Sequence, residues 1–314
     1  MDISYPRPSS LDTRPRVYRG RFAPSPSGAL HFGSLVAATG SYLQARHQQG
    51  EWLVRIDDID PPREVAGAVD QILRDLDTYG FKWDGEISYQ SQHQERYQHA
   101  LQQLWDQSLL YPCACTRRSL AKHLDSDHPE VYPGICRHGL SPGQTERSLR
   151  MLTENVFIQY HDQLQGPQEM NLETQCGDFI VKRADGLIAY QLATAVDDVY
   201  QGITEVVRGA DLLESTFRQC YIQQRLSLSS PLYTHLPIAN NHDGEKLSKN
   251  THATSIIELP KAKTLYQALV FLGQDPPPDL THSNLNEIWQ WAIQHWQFSA
   301  IPQRRQILFN EDKS

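Results

Sequence analysis

The chain has 314 residues, with 29 Lys or Arg against 37 Asp or Glu, a formal net charge of −8. That length suits two domains, or one carrying an insertion, and 39% hydrophobic with 21% charged residues excludes a disordered chain. The acidic balance excludes holding nucleic acid by bulk charge, so any RNA contact must be local and oriented.

Met1 to Arg16 read as a polar, proline-broken leader without the apolar segment of a signal peptide. No window approaches the roughly 18 apolar residues of a membrane-spanning helix. A cytoplasmic monomer without membrane contact is expected. A strand is predicted at Val17 to Ala23, followed by a Pro/Ser/Gly loop from Pro24 to Gly28. A helix from about Ser34 to Gln48 places Leu35, Ala38, Tyr42 and Ala45 on one face and stops at Gly50. Glu51 to Ile56 reads as a buried strand, and Arg63 to Tyr79 as a helix stopped by Gly80. A further helix begins after Ser91, with Ser91 and Gln94 as a capping box. Strand and helix in alternation imply a parallel sheet.

Periodicity breaks from Tyr111 to Gly143, and a short apolar strand follows at Val156 to Tyr160. A hairpin is predicted from Asp178 to Arg183, turning at Asp185-Gly186. Tyr190 to Val196, Ile203 to Arg208 and a helix from about Leu212 to Leu226 then resume the alternation. From Leu259 onward the pattern is helical with a break at Pro276 to Pro278, and Trp289, Trp291 and Trp296 lie close together.

The most telling chemistry sits at the first strand-to-helix turn, R-F-A-P-S-P-S-G (Arg21 to Gly28) followed by H-F-G-S (His31 to Ser34). A strand that opens through small residues onto a helix N-terminus offers unpaired N–H groups and a positive dipole end, which suits a triphosphate. Gly33 would let a flat base approach the backbone, and His31 can donate to phosphate oxygens. Far along the chain, D-G-E-K-L-S-K-N (Asp243 to Asn250) is a polar loop whose Lys246 and Lys249 could meet the charge on a departing pyrophosphate.

Together these two elements resemble the HIGH and KMSKS signatures of class I aminoacyl-tRNA synthetases. L-V-R-I-D-D-I-D-P-P-R-E (Leu53 to Glu64), Y-Q-L-A-T-A-V-D-D (Tyr190 to Asp198) and V-V-R-G-A-D-L-L (Val206 to Leu213) narrow the resemblance to the glutamyl/glutaminyl subgroup. A guanidinium fork at Arg208 complements a carboxylate and would be left unpaired by a neutral amide, which favours glutamate. The resemblance implies an ATP site at Pro24, Ser25, His31, Gly33, Ser34 and Lys249, with His31, Lys246 and Lys249 catalytic. It implies a glutamate site in which Arg21 meets the carboxylates, Tyr190 hydrogen-bonds the ligand, Arg208 takes the side-chain carboxylate and Asp57 holds the α-ammonium, with Ala23 and Ser25 beside them. Asp57 stands where the subgroup usually has Glu, one methylene longer, so a water is an alternative bridge. The bland reading of Arg208 is an interior ion pair with Asp198 or Asp211.

Three of the five cysteines fall together, Cys113, Cys115 and Cys136, with Tyr132, His123, His128 and His138 nearby. As a pattern this fits zinc or reduced structural thiols, since the usual C-x-x-C spacing is absent. Resemblance to short glutamyl-synthetase-like proteins implies zinc on Cys113, Cys115, Tyr132 and Cys136, with a neighbouring histidine as an alternative to Tyr132. Cys176 and Cys220 read as buried packing. Arg117, Arg118 and Lys122 are either an RNA-facing patch or a solvated helix.

The expected architecture is an α/β class I Rossmann-like parallel sheet with an inserted zinc-binding subdomain and a C-terminal helical segment. The divisions are a leader at 1–16, a first catalytic half at 17–112, the zinc-binding insertion at 113–177, a second catalytic half at 178–238 and the KMSKS-like loop with the helical segment at 239–314. The 64 residues after Asn250 are few for anticodon-reading domains. This minimal architecture resembles the family of glutamyl-queuosine tRNA(Asp) synthetases. The resemblance implies ATP with Mg2+, L-glutamate and queuosine-bearing tRNA(Asp) as partners. The alternatives are a truncated glutamyl-tRNA synthetase charging the tRNA 3′ end and a non-catalytic RNA-binding paralogue.

Overall fold

The computed structural model describes residues 17–123, 131–241 and 255–309. Its first unit is β1 (Arg19–Phe22), α1 (Phe32–His47) and β2 (Glu51–Ile56), with β1 and β2 parallel and Arg21 opposite Leu53. Then come α2 (Ala68–Thr78), the two-residue β3 (Ser88–Tyr89), which extends the sheet beside β2, and α3 (Gln94–Asp106). The capping box expected at Ser91 does not form. Both the amide and the hydroxyl of Ser91 donate to Asp58, at 2.8 and 2.6 Å, and α3 starts at Gln94 after a single 3-10 turn.

The middle of the chain runs through β4 (Leu110–Cys113), α4 (Arg117–Leu120), β5 (Ser148–Met151), β6 (Phe157–Asp162), β7 (Gly166–Asn171), α5 (Leu172–Gln175) and β8 (Phe179–Lys182). β4, β5 and β8 form an antiparallel sheet, and β6 and β7 a hairpin. β6 also meets β10 in parallel at Asp162, so this stretch adds to the edge of the main sheet. The hairpin predicted after Asp178 closes at Gly186, which sits at φ +85°, where a side chain would be strained.

Tyr190 to Val196, which resumes the strand and helix alternation, lies in α6 (Tyr190–Tyr200). Its apolar run Leu192, Ala193, Ala195 and Val196 is wholly buried, and a short apolar run of this kind fits a buried helix as well as a buried strand. β9 (Glu205–Gly209), α7 (Leu213–Arg225) and β10 (Leu232–Leu236) complete the second unit, with Arg208 opposite His235. The two units meet where the Thr204 amide donates to the Arg19 carbonyl at 2.9 Å. From that junction the chain winds outward in both directions, β1 to β2 on one side and β9 to β10 on the other. Such a switch point leaves a crevice at the carboxyl ends of the strands.

β11 (Ile238–Asn240), α8 (Lys261–Phe271), α9 (Leu285–His295) and β12 (Gln306–Leu308) finish the described chain. Two of the clustered tryptophans anchor it: Trp289 donates its indole N–H to the Tyr79 carbonyl at 2.8 Å, and Trp296 donates to Gln44 at 3.0 Å. α1 is therefore covered on more than the one face its periodicity suggested, with Val36, Thr39, Leu43 and Gln44 also buried. Gly40 makes this possible, because a Cβ there would stand 2.5 Å from a methyl of Leu236.

Gly177 pairs with Tyr132 at φ +68°, and a Cβ there would lie 2.4 Å from the Tyr132 amide nitrogen. Gly177→Ala is expected to lower stability by about 2 kcal/mol or more, from left-handed strain plus a backbone clash, measured as a fall in the urea unfolding midpoint.

Candidate active site

A cleft of about 650 Å³ opens at the switch point. The end of β1 contributes Arg21, Phe22 and Ala23, the end of β9 Val207, Arg208 and Gly209, and the end of β10 Leu236 and Pro237. The loop after β1 and the first turn of α1 add Pro24, Ser25, His31, Gly33 and Ser34, and Tyr190 comes from the first turn of α6. Thus nine of the residues singled out from sequence line one cavity, although they come from three separate parts of the chain.

His31 occupies the N-cap of α1, and its Nδ1 accepts the Ser34 amide at 3.3 Å. That bond places the ring proton on Nε2. The amides of Phe32 and Gly33 have no acceptor within the helix, and no acidic side chain lies in the first turn to compensate the dipole. The result is a positive, donor-rich rim. Lys246 and Lys249 lie outside the described residues. The segments that bracket them reach this rim: Ile238 and Ala239 line the cleft, and Ser255 pairs with His31.

Charge on the opposite wall follows from one buried carboxylate. Asp198, 1% exposed, accepts Arg21 Nε and Nη2 at 3.2 and 3.3 Å and Arg55 Nη1 at 2.7 Å. Burial alone would raise its pKa, but Arg21 and Arg55 outweigh that and hold it at about 2. Arg21, placed from sequence against the ligand's carboxylates, is thus on the wall but already ion-paired. Asp57 is not on the wall. It is buried behind the loop, its amide donating to the Pro24 carbonyl at 3.0 Å and its Oδ1 accepting Arg55 Nε at 2.7 Å. Its Oδ2 is buried without a hydrogen-bond partner, and burial lifts its pKa to about 6.

Arg208, 5% exposed, makes neither of the ion pairs considered from sequence. Its hydrogen bonds go to neutral acceptors: Nε to His235 Nε2 at 3.2 Å, and Nη2 to Thr216 Oγ1 and Gln219 Oε1, both at 2.8 Å. Nη1 is buried with no partner. A cation held this way is oriented but not neutralised, and Nη1 is left to take a further acceptor. Sequence reasoning offers Asp198 only as an alternative partner of Arg208, and gives Arg55 and His235 no role. Asp198 lies inside a quoted motif, but His235 is a lone histidine whose partner Asp162 is 73 positions away, and no local pattern marks such a pair.

Away from the cleft, the sulfurs of Cys113, Cys115 and Cys136 lie within 4.8 Å of one another, and no histidine among the described residues joins them. The Tyr132 hydroxyl is 3.6 Å from the sulfurs of both Cys113 and Cys115, and Cys115 and Cys136 are also 3.6 Å apart. Tetrahedral zinc with sulfur at about 2.3 Å requires ligand atoms roughly 3.5–3.8 Å apart, and these three distances meet that requirement. Arg150 donates to the Cys113 sulfur at 3.3 Å and stacks over the Tyr132 ring at 3.6 Å. Burial raises the Cys113 thiol, but hydrogen bonds from Tyr132, the Cys115 backbone and Arg150 bring it down to about 7. Among the described residues the group can hold a soft divalent metal with three sulfurs and a phenol. His128 lies outside them. Arg117 and Arg118, beside this group, are exposed on the short α4.

Residues 17–270 match the family described as tRNA synthetases class I (E and Q), catalytic domain. The chain is 51% identical over 294 residues to a protein from Dechloromonas aromatica named glutamyl-Q tRNA(Asp) synthetase, covering 93% of this chain and 98% of that one. A protein of the same name from Aromatoleum aromaticum is 48% identical over 297 residues, covering 94% of each. Among solved structures, a glutamate-tRNA synthetase from Elizabethkingia anophelis superposes with a TM-score of 0.79 at 21% identity, over 95% of this chain and 69% of that one. This last likeness is one of fold.

The depressed pKa of Asp198 sets an acid dependence. Its carboxylate stabilises the fold above its ordinary value of 3.8, and that contribution disappears as pH falls through about 2. Asp198→Asn is expected to lose about 2 kcal/mol at neutral pH and to show a flatter loss of stability between about pH 4 and 2 than the parent. Urea unfolding across that range measures both; parallel curves for the two proteins would contradict the ion-pair account.

Proposed function

Because the chain belongs to the family of class I tRNA synthetase catalytic domains for glutamate and glutamine, and its close relatives are glutamyl-Q tRNA(Asp) synthetases, we propose that it activates L-glutamate with ATP and transfers it to queuosine in the anticodon of tRNA(Asp). The enzyme is a ligase of the synthetase type. The observation that carries the amino-acid assignment is the buried, unpartnered Nη1 of Arg208 in the cleft wall. Glutamate's side-chain carboxylate would satisfy it, whereas an amide would leave the cation desolvated and unneutralised.

In this reading the triphosphate lies along the start of α1, with the amides of Phe32 and Gly33 and His31 Nε2–H toward its oxygens and Pro24, Ser25 and Ser34 beside them. Glutamate lies across the ends of β1 and β9. Its side chain reaches Arg208, Tyr190 hydrogen-bonds it, and Ala23 and Ser25 flank it. Arg21, held by Asp198, contributes field rather than a free fork, and the unpartnered Asp57 Oδ2 takes the α-ammonium through a water. The α-carboxylate attacks the α-phosphorus in line, pyrophosphate leaves, and glutamyl-adenylate remains. A hydroxyl of the queuosine cyclopentenediol then attacks the adenylate carbonyl, expelling AMP and leaving an ester. Positioning and charge stabilisation do the work, with no covalent protein intermediate. His31, Lys246 and Lys249 stabilise the charge that builds on the phosphates, and Mg2+ enters with ATP as the counter-charge of its phosphates.

Zinc is assigned to Cys113, Cys115, Tyr132 and Cys136, where it would act structurally by tying the loop after β4 to Cys136. The three 3.6 Å separations among these donor atoms and the cationic Arg150 support this. The exposed Arg117, Arg118 and Lys122 are assigned to the RNA side, and the protein is assigned to the cytoplasm; no described helix is long and apolar enough to cross a membrane.

Labelled glutamate is expected to attach, in an alkali-labile linkage, to tRNA(Asp) bearing queuosine and not to the same tRNA lacking it. Label at the 3′ end, or on both tRNAs alike, would reject the assignment. Arg208→Gln is expected to reduce kcat/KM for glutamate about 100-fold or more in pyrophosphate exchange, with the KM for ATP little changed. For the metal, purified protein is expected to contain about one zinc per chain by plasma mass spectrometry, and Cys136→Ser well under half of that. Zinc-free parent protein that retains its fold would overturn the metal assignment.

A further inference from the structure

We propose that Asp162 and His235 form a buried positioning pair that presents Arg208 to the substrate's side-chain carboxylate without neutralising it. The inference rests on the assignment of Arg208 above and extends it to two residues that touch no substrate.

Asp162 ends β6 and His235 lies on β10 directly opposite Arg208 of β9, so the pair exists only because the strand from the middle of the chain joins the edge of the main sheet. Both side chains are fully buried. Asp162 Oδ1 accepts the amides of Leu164, Gln165 and His235 at 3.1, 2.8 and 3.2 Å, which fixes the carboxylate. Oδ2 stands 2.6 Å from His235 Nδ1. A carboxylate only accepts, so Nδ1 carries the ring proton and Nε2 presents a lone pair, which faces Arg208 Nε at 3.2 Å and the Thr216 hydroxyl at 3.1 Å.

Burial, joined by the nearby Arg208 charge, lowers the His235 pKa against the pull of Asp162. The ring is therefore neutral around pH 7. Burial would raise Asp162, but its bonds from His235 and the backbone hold it below its ordinary range. A carboxylate placed directly on Arg208 would orient the guanidinium equally well, but it would cancel the charge and compete with the ligand. Interposing an imidazole keeps the orientation and holds the negative charge one ring further away. Thr216, Gln219 and the Leu212 carbonyl complete the set of neutral acceptors, leaving Nη1 for the substrate.

The decisive substitution is Asp162→Asn. The amide oxygen can still accept the three backbone amides, while its NH2 donates to His235 Nδ1 and moves the ring proton to Nε2, so that two donors face each other at Arg208. Leaving that buried donor unpaired is expected to raise the KM for glutamate at least about tenfold in pyrophosphate exchange, with the KM for ATP within about twofold of the parent. His235→Gln places an amide oxygen near the position of Nε2, and is expected to recover most of the affinity that His235→Leu loses. This second pair carries the test if Asp162→Asn does not fold. An unchanged glutamate KM in Asp162→Asn, equal losses toward ATP and glutamate, or indistinguishable Gln and Leu variants at position 235 would overturn the proposal. Arg208→Gln run in parallel separates the two layers. If it leaves the glutamate KM unchanged, the assignment of Arg208 itself fails; if it raises that KM while the Asp162 and His235 variants do not, only the positioning pair is wrong.

Discussion

Asp198 accepts two guanidinium groups, Arg21 and Arg55, in a site from which water is excluded. The charge of that carboxylate is already matched by two cations, and the remaining buried cation of the cleft wall, Arg208, is held by neutral acceptors instead. Buried charge is tolerated when it is paired, and an incompletely paired one marks a place where a ligand completes the structure. In the proposed reading, selectivity for an acidic group follows from this division: Arg21 and Arg55 are paired within the fold, and Arg208 is left for the substrate.

The two ends of the cleft use different sources of positive potential. At the α1 end it is the helix terminus, capped by an imidazole rather than by the acidic or hydroxyl side chain commonly found there, so the dipole is not compensated. At the β9 end it is a side chain. A triphosphate is recognised by many weak, directional amides, whereas one carboxylate is recognised by a single fork. The switch between β1 and β9 brings both to one crevice, and the C-terminal tryptophans hold the later turns of α1 through Gln44 and the end of the neighbouring helix through Tyr79.

The cysteine group solves a different problem. The chain between β4 and β5 has little apolar periodicity of its own, and its small core consists of Tyr111, Cys113, Tyr132 and Cys136. Three sulfurs, a phenol and an overlying guanidinium concentrate there the cohesion that a larger apolar cluster provides elsewhere, which accords with a metal-stapled loop.

Sequence alone was enough to locate the parts whose chemistry is local: the strand, loop and helix start around His31, the arginine at 208, the cysteine triplet, and most helices and strands within a few residues. These features are written in short patterns, because caps, turns and periodic burial depend on near neighbours. Tertiary structure alone decided which charges pair. That Arg21 and not Arg208 lies on Asp198, that Asp57 sits behind the wall, that Ser91 serves Asp58 instead of capping a helix, and that Asp162 stands behind His235 all depend on contacts between strands and loops far apart in the chain. Electrostatic partners in a buried sheet are chosen by register and burial, and neither is encoded within a local window of residues.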